Sequence, residues 1–214
     1  MKSSVTIEEF LKKQQDCASK AILEGNPKVE LFGGLDLTFE SPYKTPTRAW
    51  ACLVVFDGKR VISKTIVEGV VKTPYIPGLL AMRELELMLK AFEKSNIKPD
   101  ILLIDGHGQA HPRLCGIAMH IGQELDIPSI GVGKKLLVGE FSYPAPRRGA
   151  FESIIYKSRV VGYALRTKEG VKPVFVSAGH KVSHAFALEL TLSLCKYRIP
   201  EPIRLAHLNL KKLR

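Results

Sequence analysis

The sequence lacks any apolar run approaching the roughly 20 residues that a membrane-spanning helix requires. It also lacks the charged start and following apolar segment of a secretory signal peptide. Internal repeats, low-complexity tracts and clear linkers are absent as well. We therefore expect a cytoplasmic protein without a membrane span, folded as one domain over residues 1–214.

Cysteine is scarce, with four residues in the chain and no C-x-x-C pair. The four are Cys17, Cys52, Cys115 and Cys195, and three of them lie inside apolar patterns. This distribution predicts reduced, buried side chains. No cysteine has a zinc-type spacing to any of three histidines, namely His107, His180 and His184.

Acidic residues are outnumbered by basic ones. Lys and Arg total 32, Asp and Glu total 21, and the net charge is +11. Such a balance favours a polyanionic partner, either nucleic acid or an anionic membrane surface. The basic residues are spread along the chain, however, and net charge also serves solubility. Charge alone therefore assigns no function.

The first 25 residues predict a helix packed on the outside of the domain. Thr6 is the expected N-cap, Glu9 closes a capping box, and Val5 and Phe10 form a hydrophobic staple. We expect this helix to continue to about residue 24, before Gly25-Asn26-Pro27 ends it.

Alternating apolar residues then predict three strands, at 29–39, 49–56 and 61–71. Asp57-Gly58 between the second and third is a strong hairpin signal, so the three strands should form an antiparallel meander. A helix at about 78–94 follows, with Arg83 on its polar arc and Glu84 on its apolar side.

The middle of the chain predicts two parallel strands that end at the same edge of the sheet. An apolar run at 101–104 stops at Asp105, and a second at 127–132 leads into a glycine loop with Lys134. Between them, Pro112 is the expected first residue of a helix, with His111 at or just before its N-cap. Shorter strands are expected at 154–155, 160–166 and 174–176, and helices at 180–195 and around His207.

This order of elements is that of a ribonuclease H-like fold. We therefore expect an α/β protein whose mixed central sheet joins the three-strand meander to parallel strands, with helices flanking the sheet. In open sheets of this kind, ligands bind beyond the carboxyl ends of the parallel strands. The end of the strand at 101–104 is therefore the first place to look for chemistry.

Three acids are each a lone carboxylate in an apolar element: Asp36, Glu84 and Asp105. Together they would form an all-oxygen site suited to Mg²⁺ or Mn²⁺, and two such ions can clamp the attacking and leaving oxygens of a phosphodiester. Simpler explanations exist for two of them. Asp105 can cap a turn before glycine, and Glu84 can reach water at the edge of its helix.

Six stretches resemble the endonuclease V family, whose members nick nucleic acid near inosine, which is deaminated adenine. The stretches occur in family order, and the resemblance runs from about residue 29 to the C-terminus. Pro-Tyr-Ile-Pro-Gly before Glu84, combined with the run from Asp105 to Arg113, makes the resemblance specific. The matching residues are 33–39, 74–84, 105–113, 130–134, 175–180 and 202–207.

The resemblance implies a role for each matching residue. Asp36, Glu84 and Asp105 would bind Mg²⁺, with Mn²⁺ as a substitute, and His207 would assist the attacking water or a second metal ion. Tyr75 would belong to a wedge that separates the strands while the unusual base enters a pocket, since extrusion costs least at a mispaired base. The implied substrate-binding residues are Pro74, Tyr75, Ile76, Pro77, Gly78, Gly106, Gly108, His111 and Lys134.

Four glycines would let backbone N–H groups approach the base or the phosphates: Gly78, Gly106, Gly108 and Gly131.

Some of the polar residues have simpler alternatives. His111 can instead cap a helix or satisfy the core, and Lys134 can be a solvated charge rather than a partner of the carboxylates or a phosphate. His120 lies in a helical apolar pattern and is expected to be a core histidine.

Two residues depart from the common family pattern. Ala178 replaces a proline before Gly179-His180, and Gly133 replaces an alanine before Lys134. Both changes exchange one small residue for another. They affect the expected loop geometry and leave the chemistry unchanged.

Three functions remain open from the sequence. The leading one is a monomeric, Mg²⁺-dependent endonuclease that repairs DNA by cutting the second phosphodiester 3′ to deoxyinosine, leaving a 3′-OH and a 5′-phosphate. The second is an inosine-specific endoribonuclease, for which a contact to the ribose 2′-OH would be diagnostic. The third is a non-catalytic nucleic-acid binding module, which predicts that at least one of the three acids is absent, whereas all are present.

Overall fold

A computed structural model describes residues 6–213, and this part of the chain forms one mixed sheet with helices on both faces. None of its helices is both long and apolar enough to cross a membrane. The strands are β1 Phe32–Phe39, β2 Thr47–Phe56, β3 Val61–Val71, β4 Ile101–Ile104, β5 Ser129–Gly133, β6 Phe151–Tyr156, β7 Arg159–Leu165 and β8 Val174–His180. The helices are α1 Ile7–Ser19, α2 Leu80–Glu93, α3 Ile117–Glu124, α4 His184–Ser193 and α5 Glu201–Lys211.

The sheet has the order β3-β2-β1-β4-β5-β8-β7-β6. β1, β2 and β3 pair antiparallel as the predicted meander, while β4 pairs parallel with both β1 and β5. β8, β7 and β6 extend the sheet as antiparallel strands. The predicted α/β fold, with a ribonuclease H-like mixed sheet flanked by helices, is confirmed.

Apolar side chains bury both faces of this sheet. On one face, α2 and α3 cover residues such as Leu35, Leu53 and Ile104, which are fully buried. On the other face, α4 and α5 pack over residues that include Leu103 and Ile130. β4 is buried along its whole length because helices cover it on both sides, which explains its continuous apolar sequence.

α1 packs against α3 and begins as its sequence predicts. The Thr6 hydroxyl accepts from the Glu9 N–H, and the Glu9 carboxylate accepts from the Thr6 N–H, which completes the capping box. The helix ends at Ser19 rather than near residue 24. The predicted staple between Val5 and Phe10 lies outside the described residues.

The start of α3 differs from the prediction. The helix begins at Ile117 with Gly116 as its N-cap, so Pro112 is not its first residue and His111 does not cap it. Leu114 has a φ of 57°, which is left-handed and incompatible with a continuous right-handed helix. Residues 111–116 therefore form turns, which leave His111 and Arg113 free to make long-range contacts.

The cysteines also differ in part from the prediction. Cys52 and Cys195 are buried and free as expected, but Cys17 and Cys115 form a disulfide. Because α1 packs beside α3, it brings the two Cα atoms to 6.2 Å although they are 98 residues apart in sequence. The prediction of four reduced cysteines is therefore wrong for this pair.

Candidate active site

Asp36 and Asp105 lie side by side because β1 and β4 run parallel. Leu35 pairs with Ile104 in the register of the two strands, and the Asp105 N–H donates to the Leu35 carbonyl at 3.2 Å. Asp36 follows Leu35 and Asp105 follows Ile104, so the two acids occupy neighbouring positions on adjacent strands. Asp105 directly follows the carboxyl end of β4, the region where sheets of this type bind ligands, and Asp36 lies beside it within β1, just beyond the residues that pair with β4.

α2 brings the third acid to the same place. Glu84 lies in the first two turns of this helix and is only 8% exposed, so it does not reach water at the helix edge. Asp36, Glu84 and Asp105 line one cavity, which has a volume of about 490 Å³. That volume is within the range of about 300–1,000 Å³ that is typical of ligand pockets.

The crowding of these acids perturbs their protonation. Burial is the main cause that raises the pKa of Glu84 to about 8, and the negative charges of Asp36 and Asp105 add to it. Burial and the Asp105 charge also raise the pKa of Asp36 to about 6, although Lys134 and His207 oppose the rise. Burial and the mutual repulsion of the carboxylates therefore disfavour the ionised forms of Asp36 and Glu84.

Two cationic or polar groups contact the cluster. The Lys134 ammonium, directly after β5, forms an ion pair with the Asp105 carboxylate. His207 extends from α5, and its Nδ1 lies 2.9 Å from an Asp36 carboxylate oxygen. The other Asp36 oxygen accepts from the Leu37 N–H at 2.9 Å. Lys134, a predicted partner of the carboxylates, and His207, which was predicted to assist the attacking water or a second metal ion, therefore both contact the acids.

The spacing of the acids bears on how they would hold a metal. Among residues 6–213, only Cys17, Cys115 and His120 form a group of His, Cys, Asp or Glu ligand atoms that all lie within 4.8 Å of one another. The three carboxylates are more widely spread, with Lys134 paired to one of them. The carboxylate oxygens suit a hard cation. If two ions bind about 4 Å apart, the three carboxylates do not all have to surround the same ion.

Residues 74–78 form one rim of the cavity, to which Tyr75 and Gly78 contribute directly. Pro74, Tyr75 and Pro77 are exposed, and the Tyr75 side chain is 57% exposed. Ile76 is half-buried and packs on the core beside α2, which anchors the segment. An aromatic ring is therefore held at the mouth of the cavity, facing solvent.

The Gly78 carbonyl fixes this rim to the rest of the protein. It accepts from Gln14 Nε2 at 3.1 Å and from His111 Nε2 at 3.0 Å, and Arg113 Nη2 also donates to it. Gly78 has a φ of 77°, a left-handed conformation that glycine adopts at little cost. The turn is thus held by side chains from α1 and from residues 111–113.

His111 is a buried, neutral histidine. Burial lowers its pKa to about 3, and the neighbouring Arg113 charge adds to the effect. Its Nδ1 accepts from the Arg113 N–H at 3.3 Å, while its Nε2 donates to Gly78. Both ring nitrogens are therefore engaged, and His111 supports the 74–78 rim although its side chain also lines the cavity.

The predicted glycines have different surroundings. Gly78 and Gly106 line the cavity. The Gly108 N–H donates to Ser177 Oγ at 2.9 Å, so this donor is already occupied. Gly131 packs on it, since a Cβ at Gly131 would lie 2.3 Å from the Gly108 nitrogen. Gly108 and Gly131 are thus closely packed, and their contact with substrate stays a prediction.

Two polar residues near the cavity escaped the sequence prediction. Gln14 is 1% exposed and lines the cavity; its place between Phe10 and Cys17 on the apolar face of α1 was the available signal. Arg83 was expected on an exposed arc but is 6% exposed, with its guanidinium 3.9 Å from the centre of the Phe39 ring. This contact compensates part of the cost of burying its charge.

Comparison with known proteins identifies the family. The family model of endonuclease V matches residues 14–208. Endonuclease V of Dictyoglomus turgidum is 45% identical, covering 96% of this chain and 90% of the relative. The crystal structure of endonuclease V from Streptomyces avermitilis has a TM-score of 0.90 at 36% identity, covering 98% of this chain and 93% of that one.

A further relative is known with nucleic acid bound. Endonuclease V of Ciona intestinalis, in complex with a 24mer DNA containing an inosine followed by a ribo-adenosine, has a TM-score of 0.84 at 29% identity. The match covers 97% of each chain. Residues 14–208, which the family model matches, contain the acids, the 74–78 rim and His207. The chain belongs to the endonuclease V family.

Proposed function

We propose that this protein is a divalent-metal-dependent endonuclease that cuts inosine-containing DNA at the second phosphodiester 3′ to the lesion. The products would be a 3′-OH and a 5′-phosphate, and the preferred ion Mg²⁺, with Mn²⁺ as a substitute. Family membership supports nuclease activity. The observation that carries the proposal is that three carboxylates and an exposed, proline-braced tyrosine line one cavity.

Asp36, Glu84 and Asp105 would hold the metal ions. Their oxygens are the ligands that hard divalent cations select. Burial, together with the neighbouring carboxylates, raises the pKa values of Asp36 and Glu84, and a bound cation would favour their ionised forms. When bound, the ions would supply Lewis acidity and activate water for attack on the phosphodiester. The donor set fits this chemistry.

The chain's own side chains would tune the carboxylates. His207 lies beside Asp36 and would orient its carboxylate, while Lys134 would neutralise part of the charge on Asp105 or contact a phosphate. The net charge of +11 favours the approach of a polyanionic substrate.

The 74–78 rim would recognise the lesion. Tyr75 can stack where a base has left the helix, because its ring is exposed and the flanking prolines restrict the backbone around it. The extruded hypoxanthine would enter the cavity beside Gly78 and Gly106. His111, Arg113 and Gln14 would act indirectly, since they hold the Gly78 carbonyl.

Endoribonuclease activity is the second candidate. The Ciona intestinalis relative was captured with a ribonucleotide directly after the inosine, which favours a site that accepts ribose there. In this chain, a contact to the 2′-OH would make RNA the better substrate.

One experiment separates these functions. The protein is offered duplexes of one sequence that carry inosine in all-DNA, in DNA with a single ribonucleotide after the inosine, and in all-RNA form. Mapping the cut in each duplex tests the position, and the order of the rates assigns the preferred sugar. Asp36→Asn should abolish cutting of all three, whereas cutting by this variant would contradict the role of Asp36.

A further inference from the structure

A second group of metal-ligand side chains lies away from the three carboxylates. Cys17 in α1 and Cys115 just before α3 are joined as a disulfide, and an imidazole nitrogen of His120 lies within 4.8 Å of both sulfurs. Two sulfurs and one imidazole are ligands of soft and borderline cations, unlike the oxygens of the acid cluster.

His120 is prepared to act as a ligand. The residue is 1% exposed, and its Nε2 has no hydrogen-bond partner among the described residues. Burial lowers its pKa to about 4, so the ring is neutral near pH 7. Its ring stacks on Phe10, with 5.3 Å between the centroids, which fixes its orientation. A buried imidazole nitrogen without a hydrogen-bond partner among the described residues needs an explanation, and a metal ion would supply one.

A groove gives this group access to solvent. Cys17 and His120 line a cavity of about 500 Å³ that is separate from the candidate active site. Asp16 also lines it, as do Glu124 and Asp126, which form ion pairs with Lys13 and Lys181. An entry path and a cluster of sulfur and imidazole ligands are features expected of a metal site.

We propose that, in the reduced chain, Cys17, Cys115 and His120 bind one thiophilic divalent cation such as Zn²⁺, at a site that the disulfide closes. A fourth position would remain for water or another ligand from the groove, as in sites with three protein ligands. The sulfurs need only separate to about 3.7 Å, the spacing set by a Zn–S length of about 2.3 Å and tetrahedral geometry.

The disulfide form converts to the reduced form by thiol–disulfide exchange. A dithiol reductant supplies two electrons and two protons; the Cys17–Cys115 bond breaks, two thiols form, and the reductant becomes a disulfide. Binding of the cation then releases both thiol protons, because the ligands are thiolates. Oxidation by a disulfide compound reverses the process and expels the ion.

Either link would fasten α1 to the residues that build the active-site rim. Cys115 directly precedes Gly116, which lines the cavity of the acids, and Gln14 of α1 holds the Gly78 carbonyl. The metal ion and the disulfide would therefore be alternative crosslinks between α1 and residues 111–116.

Cobalt absorption tests the proposal on the whole chain. The protein is reduced with a dithiol, freed of excess reagent under nitrogen and titrated with Co²⁺, whose bonds to thiolates give a charge-transfer band in the near ultraviolet. We expect the band to saturate at one ion per chain and to disappear on addition of Zn²⁺. Ions bound by the carboxylates of the active site give no such band.

Variants and the oxidised protein provide the controls. Cys17→Ser should remove the band, and His120→Gln should weaken binding by more than about 100-fold, since even outer-sphere partners are worth about 10–100-fold. Cys52→Ser, a matched change at a buried free cysteine, should leave the band intact. The oxidised parent, which needs no substitution, should show none. A reduced parent without the band, or a band that persists in Cys17→Ser or in the oxidised parent, would overturn the proposal.

Discussion

Replacing Glu84 by glutamine should make the metal-free protein more stable at neutral pH. The raised pKa of Glu84 means that the folded protein keeps a proton that the unfolded chain has lost. Folding stability therefore falls as the pH rises from the unfolded value of 4.5 to the folded value of about 8. Glutamine has no proton to lose, so the Glu84→Gln variant escapes this loss.

The size of the effect follows from the two pKa values. Each pH unit between them costs the parent about 1.4 kcal/mol, so about 3 kcal/mol is lost between pH 4.5 and pH 7. The free energy of unfolding of Glu84→Gln, relative to the parent, should rise by this amount over the same interval. Saturating Mg²⁺ should reverse the order of the two proteins, because an ion bound at the proposed site would neutralise the Glu84 carboxylate.

Urea unfolding of both proteins at pH 4.5 and pH 7, with a chelator or with Mg²⁺, measures these differences. Glu86→Gln is a matched control in the same helix, because the Glu86 side chain is 82% exposed and pairs only with Lys90 at the surface. The difference in free energy of unfolding between Glu86→Gln and the parent should change by less than about 1 kcal/mol between the two pH values. An equal difference in free energy of unfolding between Glu84→Gln and the parent at pH 4.5 and pH 7, both with chelator, would show that burial and neighbouring charge do not raise the pKa of Glu84.

Three further changes test separate parts of the structure. Tyr75→Ala should reduce the preference for inosine over adenosine by about tenfold, since a stacked base is worth about 1–3 kcal/mol. Tyr43→Ala is its control, because Tyr43 is also exposed. Equal effects of the two changes would refute the proposed role of Tyr75 as a wedge. Gly34→Ala should cost at least about 2 kcal/mol in urea unfolding, because its Cβ would lie 2.0 Å from Pro202; an unchanged midpoint would contradict this. His207→Ala should slow single-turnover cleavage by about 10–100-fold through Asp36, and unaltered cleavage would contradict that role.

Local patterns predicted the elements that carry the acids. The apolar run at 101–104 is β4 and ends before Asp105, and β3 has its predicted bounds at 61–71. Glu84 is buried, as its place on the apolar side of α2 indicated. These features follow from the periodicity of one segment, so they require no knowledge of the remaining chain.

Contacts between distant segments were not predictable in this way. The left-handed Leu114 displaces the start of α3, although leucine gives no local signal for such a conformation. Cys17 meets Cys115 only because α1 packs on α3. Likewise, Arg83 looks exposed on a helical projection, but Phe39 of β1 covers it. Each of these features depends on how elements pack together, which their separate sequences do not specify.

Cleavage of two duplexes that differ at one base tests the central claim most directly. One DNA duplex carries a single inosine and the other carries adenosine at the same position, and each is incubated with the parent and with Asp105→Asn, in Mg²⁺ and in chelator. We expect one nick, at the second phosphodiester 3′ to inosine, made only by the parent in Mg²⁺. Equal cutting of the adenosine duplex, or cutting by Asp105→Asn at the parent's rate, would contradict it.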